Sequence, residues 1–96
     1  MQVNFEDERP IFVQIAEQIE DAILAGAFPE ETQIPSTTEI SIGYKINPAT
    51  ALKGINILVD SGVVYKKRGV GMFVSTGAVN SLLEKRRKEF SEKYIA

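Results

Sequence analysis

The chain has 96 residues, with 11 basic and 13 acidic side chains, no histidine and no cysteine. This length suits one small domain with a modest core and is too short for a multi-layer enzyme. The absence of cysteine and histidine excludes disulfides, thiolate chemistry and the usual zinc sites. No apolar run approaches the roughly 20 residues of a membrane span, and the acidic first ten residues are unlike a secretory signal. We therefore expect a cytoplasmic protein that uses no cofactor and does not engage a membrane.

The charges are distributed unevenly along the chain. Residues 1–32 carry eight acids and one base, a balance of −7; residues 33–79 carry five bases and two acids, +3; and residues 80–96 carry five bases and three acids, +2. Attraction to phosphate acts over about one Debye length, roughly 10 Å at 0.1 M salt. Local charge therefore matters more than the net charge of −2, and residues 33–79 could meet a polyanion.

An amphipathic helix is predicted between Pro10 and Gly26. Isoleucines recur there at every fourth position, which places them on one helix face. They are Ile11, Ile15, Ile19 and Ile23. The polar residues on the other side are expected to form an acidic, solvated face turned away from any nucleic acid. They are Glu17, Gln18, Glu20 and Asp21.

Two further helices are predicted with separate start signals. Ser36 and Glu39 form a capping box that opens the second helix. Asn47 as N-cap and Pro48 at the first helical position open the third helix, over residues 48–60. Its expected apolar face comprises Leu52, Ile55, Leu58 and Val59, and Gly62 ends it. The short connection, residues 43–47, predicts a helix-turn-helix.

A β-hairpin follows over residues 63–74, with residues 66–71 as a cationic, glycine-bearing tip. The predicted fold class is therefore α+β, mainly α: a winged helix-turn-helix of three helices and a two-stranded hairpin, occupying residues 1–76.

A final helix is predicted after a hinge at residues 75–78. Its apolar positions are Val79, Leu82, Leu83, Phe90 and Tyr94. So small a domain offers this helix little surface to pack on, so residues 77–96 are expected to form a dimerisation segment that pairs two copies. The basic run at residues 85–88 is expected to be a solvated helix face.

Five ordered phrases carry a resemblance to a known family. They are Pro10-Ile11-Phe12-x-Gln14-Ile15-Ala16, Ile34-Pro35-Ser36-Thr37-x-Glu39-Ile40, Ile46-Asn47-Pro48-x-Thr50, Ser61-Gly62-Val63-Val64-Tyr65 and Arg68-Gly69-x-Gly71-x-Phe73-Val74. In this order and spacing the chain is similar to the winged helix-turn-helix of the GntR family of bacterial transcription regulators, and to its short YtrA subfamily. The resemblance covers about two thirds of the chain.

This resemblance implies a cytoplasmic, homodimeric DNA-binding regulator, usually a repressor, that dimerises through a short C-terminal helical segment. In this subfamily the target operons often encode membrane transporters. Two positions depart from the family pattern. Thr38 stands where the family usually has an arginine that faces DNA, and Lys45 stands where the turn usually has glycine. The C-terminal segment is also short for the subfamily.

The expected DNA-binding residues come from the second helix, the turn, the third helix and the hairpin. Lys53 is expected to contact guanine or phosphate, and Ala49 a thymine methyl group. The hairpin cations would contact the backbone or the minor groove, where arginine favours narrow A·T tracts. The full set is Ser36, Thr37, Thr38, Lys45, Asn47, Pro48, Ala49, Thr50, Lys53, Lys66, Lys67, Arg68, Gly69 and Gly71.

Other interpretations of these residues stay open from sequence alone. Lys53 could be a solvated lysine on an ordinary helix, Ser36 could be a plain N-cap, and the hairpin cations could simply keep a sheet edge soluble. The winged helix could serve protein–protein contact without DNA, which the acidic pI and Thr38 favour. No nucleophile–base pair or set of metal ligands supports an enzyme. A small-molecule effector is compatible with the dimer segment, but no residue identifies one.

Overall fold

The computed structural model describes the backbone of residues 4–95 and the side chains of residues 4–90. Its helices are α1 (Ile11–Leu24), α2 (Thr37–Tyr44), α3 (Pro48–Asp60) and α4 (Ala78–Ile95), and strands β1 (Val64–Lys67) and β2 (Gly71–Val74) lie between α3 and α4. Helix α3 packs against both α1 and α2, and the antiparallel hairpin follows it directly. The predicted winged helix-turn-helix, an α+β fold that is mainly helical, is confirmed.

The start signals of α2 and α3 act as predicted. The Ser36 hydroxyl accepts a hydrogen bond from the Glu39 amide at 3.1 Å, and the Glu39 carboxylate accepts one from the Ser36 amide at 3.2 Å. The Asn47 side chain accepts from the Ala49 amide at 2.7 Å, with Pro48 at the first helical position. Helix α2 continues through Tyr44, so the turn is shorter than predicted.

The core lies where α1 crosses α3. Ile15, Ile19 and Ile23 are buried there, as their spacing predicts, and each contributes roughly 1.5–3 kcal/mol by leaving water. A Cβ atom at Gly54 would lie 3.0 Å from the Phe12 carbonyl oxygen and 3.1 Å from a methyl carbon of Ile15. The two helices therefore approach closely at this glycine.

Leu52 does not lie in the core, and its predicted placement there is wrong. Leu52 is 48% exposed, whereas Ala51, Gly54, Ile55 and Leu58 are buried. The face of α3 that packs on the core carries Ala51, Gly54, Ile55 and Leu58, and α1 approaches closely at Gly54. Leu52 lies beside this face, on the side of α3 towards α2 and the hairpin.

Glu20 was predicted to be solvated, and this is also wrong. Its residue is only 3% exposed, and its carboxylate lies 3.0 Å from the Lys85 ammonium and 3.6 Å from the Arg86 guanidinium. Arg86 also contacts Asp21 at 2.7 Å. A buried carboxylate requires charged partners, and α4 supplies them, so part of the basic run pairs with α1 rather than forming a solvated face.

The hairpin is tighter than predicted. Its register pairs Val64 with Val74 and Lys67 with Gly71, which leaves a connection of residues 68–70. Lys66 and Lys67 therefore belong to β1 and not to the tip. On its other edge β2 bonds to the loop before α2: the Ile34 amide donates to the Met72 carbonyl and the Val74 amide to the Thr32 carbonyl, each at 2.9 Å.

Helix α4 begins inside the core of the domain. Ala78 and Leu82 are buried with the residues of α1 and α3, so the expected dimerisation role of Leu82 is wrong: its own chain covers its side chain completely. Val79 packs against the same core, whereas Leu83 and Phe90 are exposed. The side chain of Tyr94 lies outside the described residues.

Hydrogen bonds also hold the connection that was predicted to be a hinge. The Glu30 carboxylate accepts from the amides of Gly77 at 2.9 Å and Val79 at 3.2 Å, and so caps the start of α4 from a distant loop. The Ser75 amide donates to the Val63 carbonyl at 2.9 Å.

Among the described helices, none is long and apolar enough to cross a bilayer.

Candidate nucleic-acid interface

A surface cleft of about 410 Å³ lies between α2, α3 and the hairpin. We call it the α2–α3–wing cleft. Its lining residues are Ser36, Thr37, Thr38, Leu52, Ile55, Asn56, Val59, Lys66, Gly71 and Met72. The fold thus brings together five of the residues predicted to bind DNA from two separate elements: Ser36, Thr37, Thr38, Lys66 and Gly71.

The first turn of α2 forms one wall of this cleft. Its free backbone amides and the positive end of the helix dipole favour an anion. The Ser36 hydroxyl is engaged in the capping box, whereas Thr38 is exposed and Thr37 half-buried. At position 38 the chain therefore offers a hydroxyl to a phosphate but no positive charge.

The start of α3 projects from the domain. Asn47, Pro48 and Ala49 are exposed, and Thr50 is half-buried. The Asn47 side-chain oxygen already caps the helix, so what it can offer a ligand is its amide nitrogen. These residues are accessible in the way that a helix entering a groove requires.

Lys53 lies on the flank of α3 that faces α1. It is exposed, and its ammonium lies 5.7 Å from the centre of the Phe12 ring, within the range of a cation–π contact. It does not line the α2–α3–wing cleft. A phosphate beside α1 is therefore within easier reach of Lys53 than a base opposite the cleft.

The hairpin presents its cations on two faces. Successive strand residues point to opposite sides, and Lys66 lines the cleft while the Lys67 ammonium lies 4.5 Å from the centre of the Phe73 ring. Arg68 and Gly69 are exposed at the tip. Part of the wing's charge is therefore held in place by an aromatic contact.

Gln33 supports the turn of the hairpin, a role that sequence reasoning missed. Its side-chain nitrogen donates to the Val70 carbonyl at 3.0 Å. Gly71 has a φ of 145°, a backbone conformation that residues with a Cβ atom rarely adopt. Glycine at position 71 is therefore required by the backbone conformation, and the end of the Gln33 side chain packs beside it.

Lys45 ends α2 in a left-handed conformation, with φ 57° and ψ 50°. This conformation disfavours residues with a Cβ atom, which gives a physical reason for the glycine usual at this turn in the family. The side chain is exposed in the connection between the two helices. Lys45 thus combines a strained backbone conformation with a positively charged side chain that faces solvent.

Leu52 and Asn56 line the cleft and are not among the residues predicted to bind DNA. They are four positions apart on α3 and so share one face; Val59 continues it. That spacing was the available signal.

Glu31 ties the hairpin to the connection before α4. Its carboxylate accepts hydrogen bonds from the Tyr65 hydroxyl and the Thr76 hydroxyl, each at 2.6 Å. These two hydrogen bonds, that from Thr76 first, lower the pKa of Glu31. The same carboxylate raises the pKa of the Tyr65 hydroxyl. Glu31 thus fixes the base of the wing, away from the cleft.

Comparison with known proteins gives a consistent result. The family described as "Bacterial regulatory proteins, gntR family" matches residues 12–74, which span α1 to β2. YhcF of Bacillus subtilis, an uncharacterised helix-turn-helix transcriptional regulator, is 30% identical over an alignment of 97 positions that covers 99% of this chain and 80% of YhcF. The transcriptional repressor YtrA of the same organism is 29% identical over 84 residues, or 88% of this chain and 65% of YtrA. The chain spans only about a third of several longer relatives.

A solved structure adds a DNA complex to these relatives. The DNA-binding domain of AraR bound to its operator superposes with a TM-score of 0.72 at 26% identity, covering 78% of this chain and 95% of that domain. The family match includes the helix-turn-helix and the hairpin that form the α2–α3–wing cleft. The chain therefore belongs to the GntR family of bacterial regulatory proteins, as a YtrA-like transcription regulator.

Proposed function

We propose that this regulator is a homodimeric repressor that binds an inverted-repeat operator in double-stranded DNA. In each copy α3 would lie in the major groove and the hairpin would lie along the adjacent backbone. The observation that carries the proposal is the α2–α3–wing cleft. It combines a helix N-terminus, an exposed helix face and a lysine on one surface.

The contacts divide by their chemistry. Residues at the start of α2 and the basic side chains would hold phosphates, which positions the protein without selecting a sequence. They are Ser36, Thr37, Thr38, Lys45, Lys53, Lys66, Lys67 and Arg68. The start of α3, with Asn47, Pro48, Ala49 and Thr50, would approach the base edges, and Gly69 and Gly71 would let the hairpin backbone come close to the DNA.

Dimerisation would use the part of α4 that projects beyond the core. Leu83 and Phe90 are 49% and 62% exposed, and large exposed apolar side chains on one helix favour a partner surface. The dimer segment would thus use the outward-facing side chains of residues 77–96, and not those of Leu82 and Val79, which pack on the core of their own domain. Two copies related by a two-fold axis would place their α3 helices on half-sites about one helical turn apart.

Repression is the outcome that the relatives' names support, since YtrA is named a repressor. A dimer bound over a promoter would compete with RNA polymerase for the same DNA. This role requires no catalytic residue, and it places the protein with the chromosome in the cytoplasm. Operator binding of this kind does not require a small-molecule effector, although an effector could modulate it.

The test is which genomic DNA fragments the purified protein retains at about 50 mM and 150 mM salt. Phosphate contacts make retention stronger at the lower concentration. We expect a shared inverted repeat among the retained fragments, with half-sites about 10 base pairs apart centre to centre. Retention of no fragment by a folded protein would contradict the proposal and favour a winged helix that binds another protein.

A further inference from the structure

Resting on the proposed function, we infer that the base pairs selected by this chain are A·T pairs. Leu52 contacts the thymine methyl group, and the Asn56 amide bonds to the adenine edge. Both residues line the α2–α3–wing cleft.

Leu52 is a large apolar side chain held at the surface. It is 48% exposed and lies three positions after the exposed Ala49, so the two share one helix face. In the major groove the C5-methyl group of thymine is the apolar feature of the base edges, and apolar side chains contact it. When α3 lies in the groove, a thymine methyl group would therefore cover the Leu52 side chain with an apolar surface. A polar base edge at the same place would leave its own hydrogen-bonding groups against leucine.

Asn56 extends the same face by one helical turn. Its side chain is exposed in the cleft, and no hydrogen bond to another described residue engages its amide. An asparagine amide offers a donor and an acceptor side by side. That pair matches the N7 acceptor and the N6 donor of adenine, which asparagine binds in a bidentate manner.

Guanine recognition is poorly served by this helix. Guanine presents two acceptors in the major groove, and arginine or lysine is the usual partner. Helix α3 contains no arginine, and its lysine, Lys53, lies against the Phe12 ring on the flank facing α1. Thr38 adds no charge at the start of α2. The cleft face of α3 therefore carries an apolar group and an amide, both suited to A·T pairs.

The experiment selects bound sequences from a pool of random 30-base-pair duplexes, with the wild-type protein and with Leu52→Ala, Asn56→Ala and Lys53→Ala. A second pool carries deoxyuridine in place of thymidine, which removes the methyl group and keeps base pairing. Affinities are then measured on the enriched duplex and its deoxyuridine form.

We expect half-sites rich in A·T pairs, and about tenfold weaker binding by the wild type when deoxyuridine replaces thymidine at the contacted position. Leu52→Ala should abolish this difference between the two duplexes. Asn56→Ala should reduce the ratio of affinities for adenine over other bases at the contacted position by about tenfold. Lys53→Ala should weaken binding to all duplexes alike.

Two results would overturn the inference in distinguishable ways. Enrichment of half-sites centred on G·C pairs, with equal affinity for both forms of the duplex, would reject the A·T assignment and leave the DNA-binding function intact. Enrichment of no sequence from either pool would reject the proposed function and this inference together.

Discussion

The Tyr65 hydroxyl in β1 donates a hydrogen bond of 2.6 Å to the Glu31 carboxylate, which lies in the loop after α1. The Tyr65 ring also stacks on Phe73 at 6.1 Å between ring centres, and the Lys67 ammonium lies on the Phe73 ring. A single acidic residue outside the cleft lining thus holds β1, the strand that carries Lys66 and Lys67. Its neighbour Glu30 caps α4, so the same loop contacts both the wing and the start of α4.

The first prediction concerns Glu31→Gln, which keeps the size of the side chain and removes its charge. The folded protein lowers the pKa of Glu31 below 4.5, so this carboxylate contributes stability that is complete above that value and is lost as the pH falls through the folded pKa. We expect Glu31→Gln to have a lower melting temperature than the wild type at pH 7. The difference should shrink as the pH falls below 4.5 and through the folded pKa, measured by circular dichroism.

Glu8→Gln is the matched control, because Glu8 is exposed at the chain surface, and its melting temperature should follow the wild type at every pH. A deficit of Glu31→Gln that stays constant down to pH 3 would show that charge on Glu31 is not what holds the wing.

Lys45→Gly provides the second prediction. A residue with a Cβ atom in the left-handed region costs roughly 1 kcal/mol, and glycine removes that cost while adding freedom to the unfolded chain. We expect a net gain of about 0.5 kcal/mol in the free energy of unfolding, measured by urea denaturation. DNA affinity should fall, because the exposed charge in the turn is lost.

Lys45→Ala separates the two effects. It removes the same charge but keeps the Cβ atom, so its DNA affinity should match that of Lys45→Gly while its stability should stay near that of the wild type. Equal stability of the two variants would mean that the φ of 57° at this turn carries no strain.

Sequence alone predicted those parts of the fold that depend on local interactions. The Ser36 capping box, the Asn47 N-cap and the left-handed Gly62 each involve residues within a few positions of one another. Such signals act within one helix end and do not depend on how the helices pack.

The errors arose where tertiary packing decides. Leu52 is exposed because α3 turns Ala51 and Gly54 to the core in its place. Glu20 is buried where α4 supplies two cations. Leu82 is covered because the first turns of α4 complete the core. Each outcome depends on an element distant in the chain. The cleft residues Leu52 and Asn56 were missed for the same reason, since the rotation of α3 decides which side chains face outward.

The third prediction concerns the wing. Each phosphate contact contributes about 0.9 to the slope of log affinity against log salt, and Lys66 and Arg68 are exposed on the hairpin. The double variant Lys66→Ala, Arg68→Ala should reduce the magnitude of that slope by roughly 2, because two contacts are lost. The measurement is fluorescence anisotropy on the operator duplex across a salt series.

Lys88→Ala on α4 is the control for the wing. Lys88 is exposed and lies outside the α2–α3–wing cleft, so the salt slope should not change. Lys67 is left intact because its contact with Phe73 would mix charge with packing. A double variant with the wild-type slope would remove the wing from the DNA interface.

The last prediction separates the exposed apolar residues of α4 from the buried one. Leu83 and Phe90 are exposed, whereas Leu82 is fully covered within its own chain. Placing a charge at an apolar interface leaves that charge desolvated, so Leu83→Asp and Phe90→Asp should yield folded monomers, with foldedness checked by circular dichroism. Sedimentation equilibrium at two protein concentrations gives the association state.

Leu82→Ala should behave in the opposite way, since removing a buried leucine costs about 2–5 kcal/mol of stability through the cavity it leaves. Its folded fraction should still dimerise, because the exposed side of α4 is unchanged. The contrast is sharp because residues 82 and 83 are adjacent in the chain yet face different surroundings. If Phe90→Asp and Leu83→Asp both remained dimers at the lower concentration, α4 would not be the dimer contact, and the two-fold arrangement of the α3 helices would need another surface.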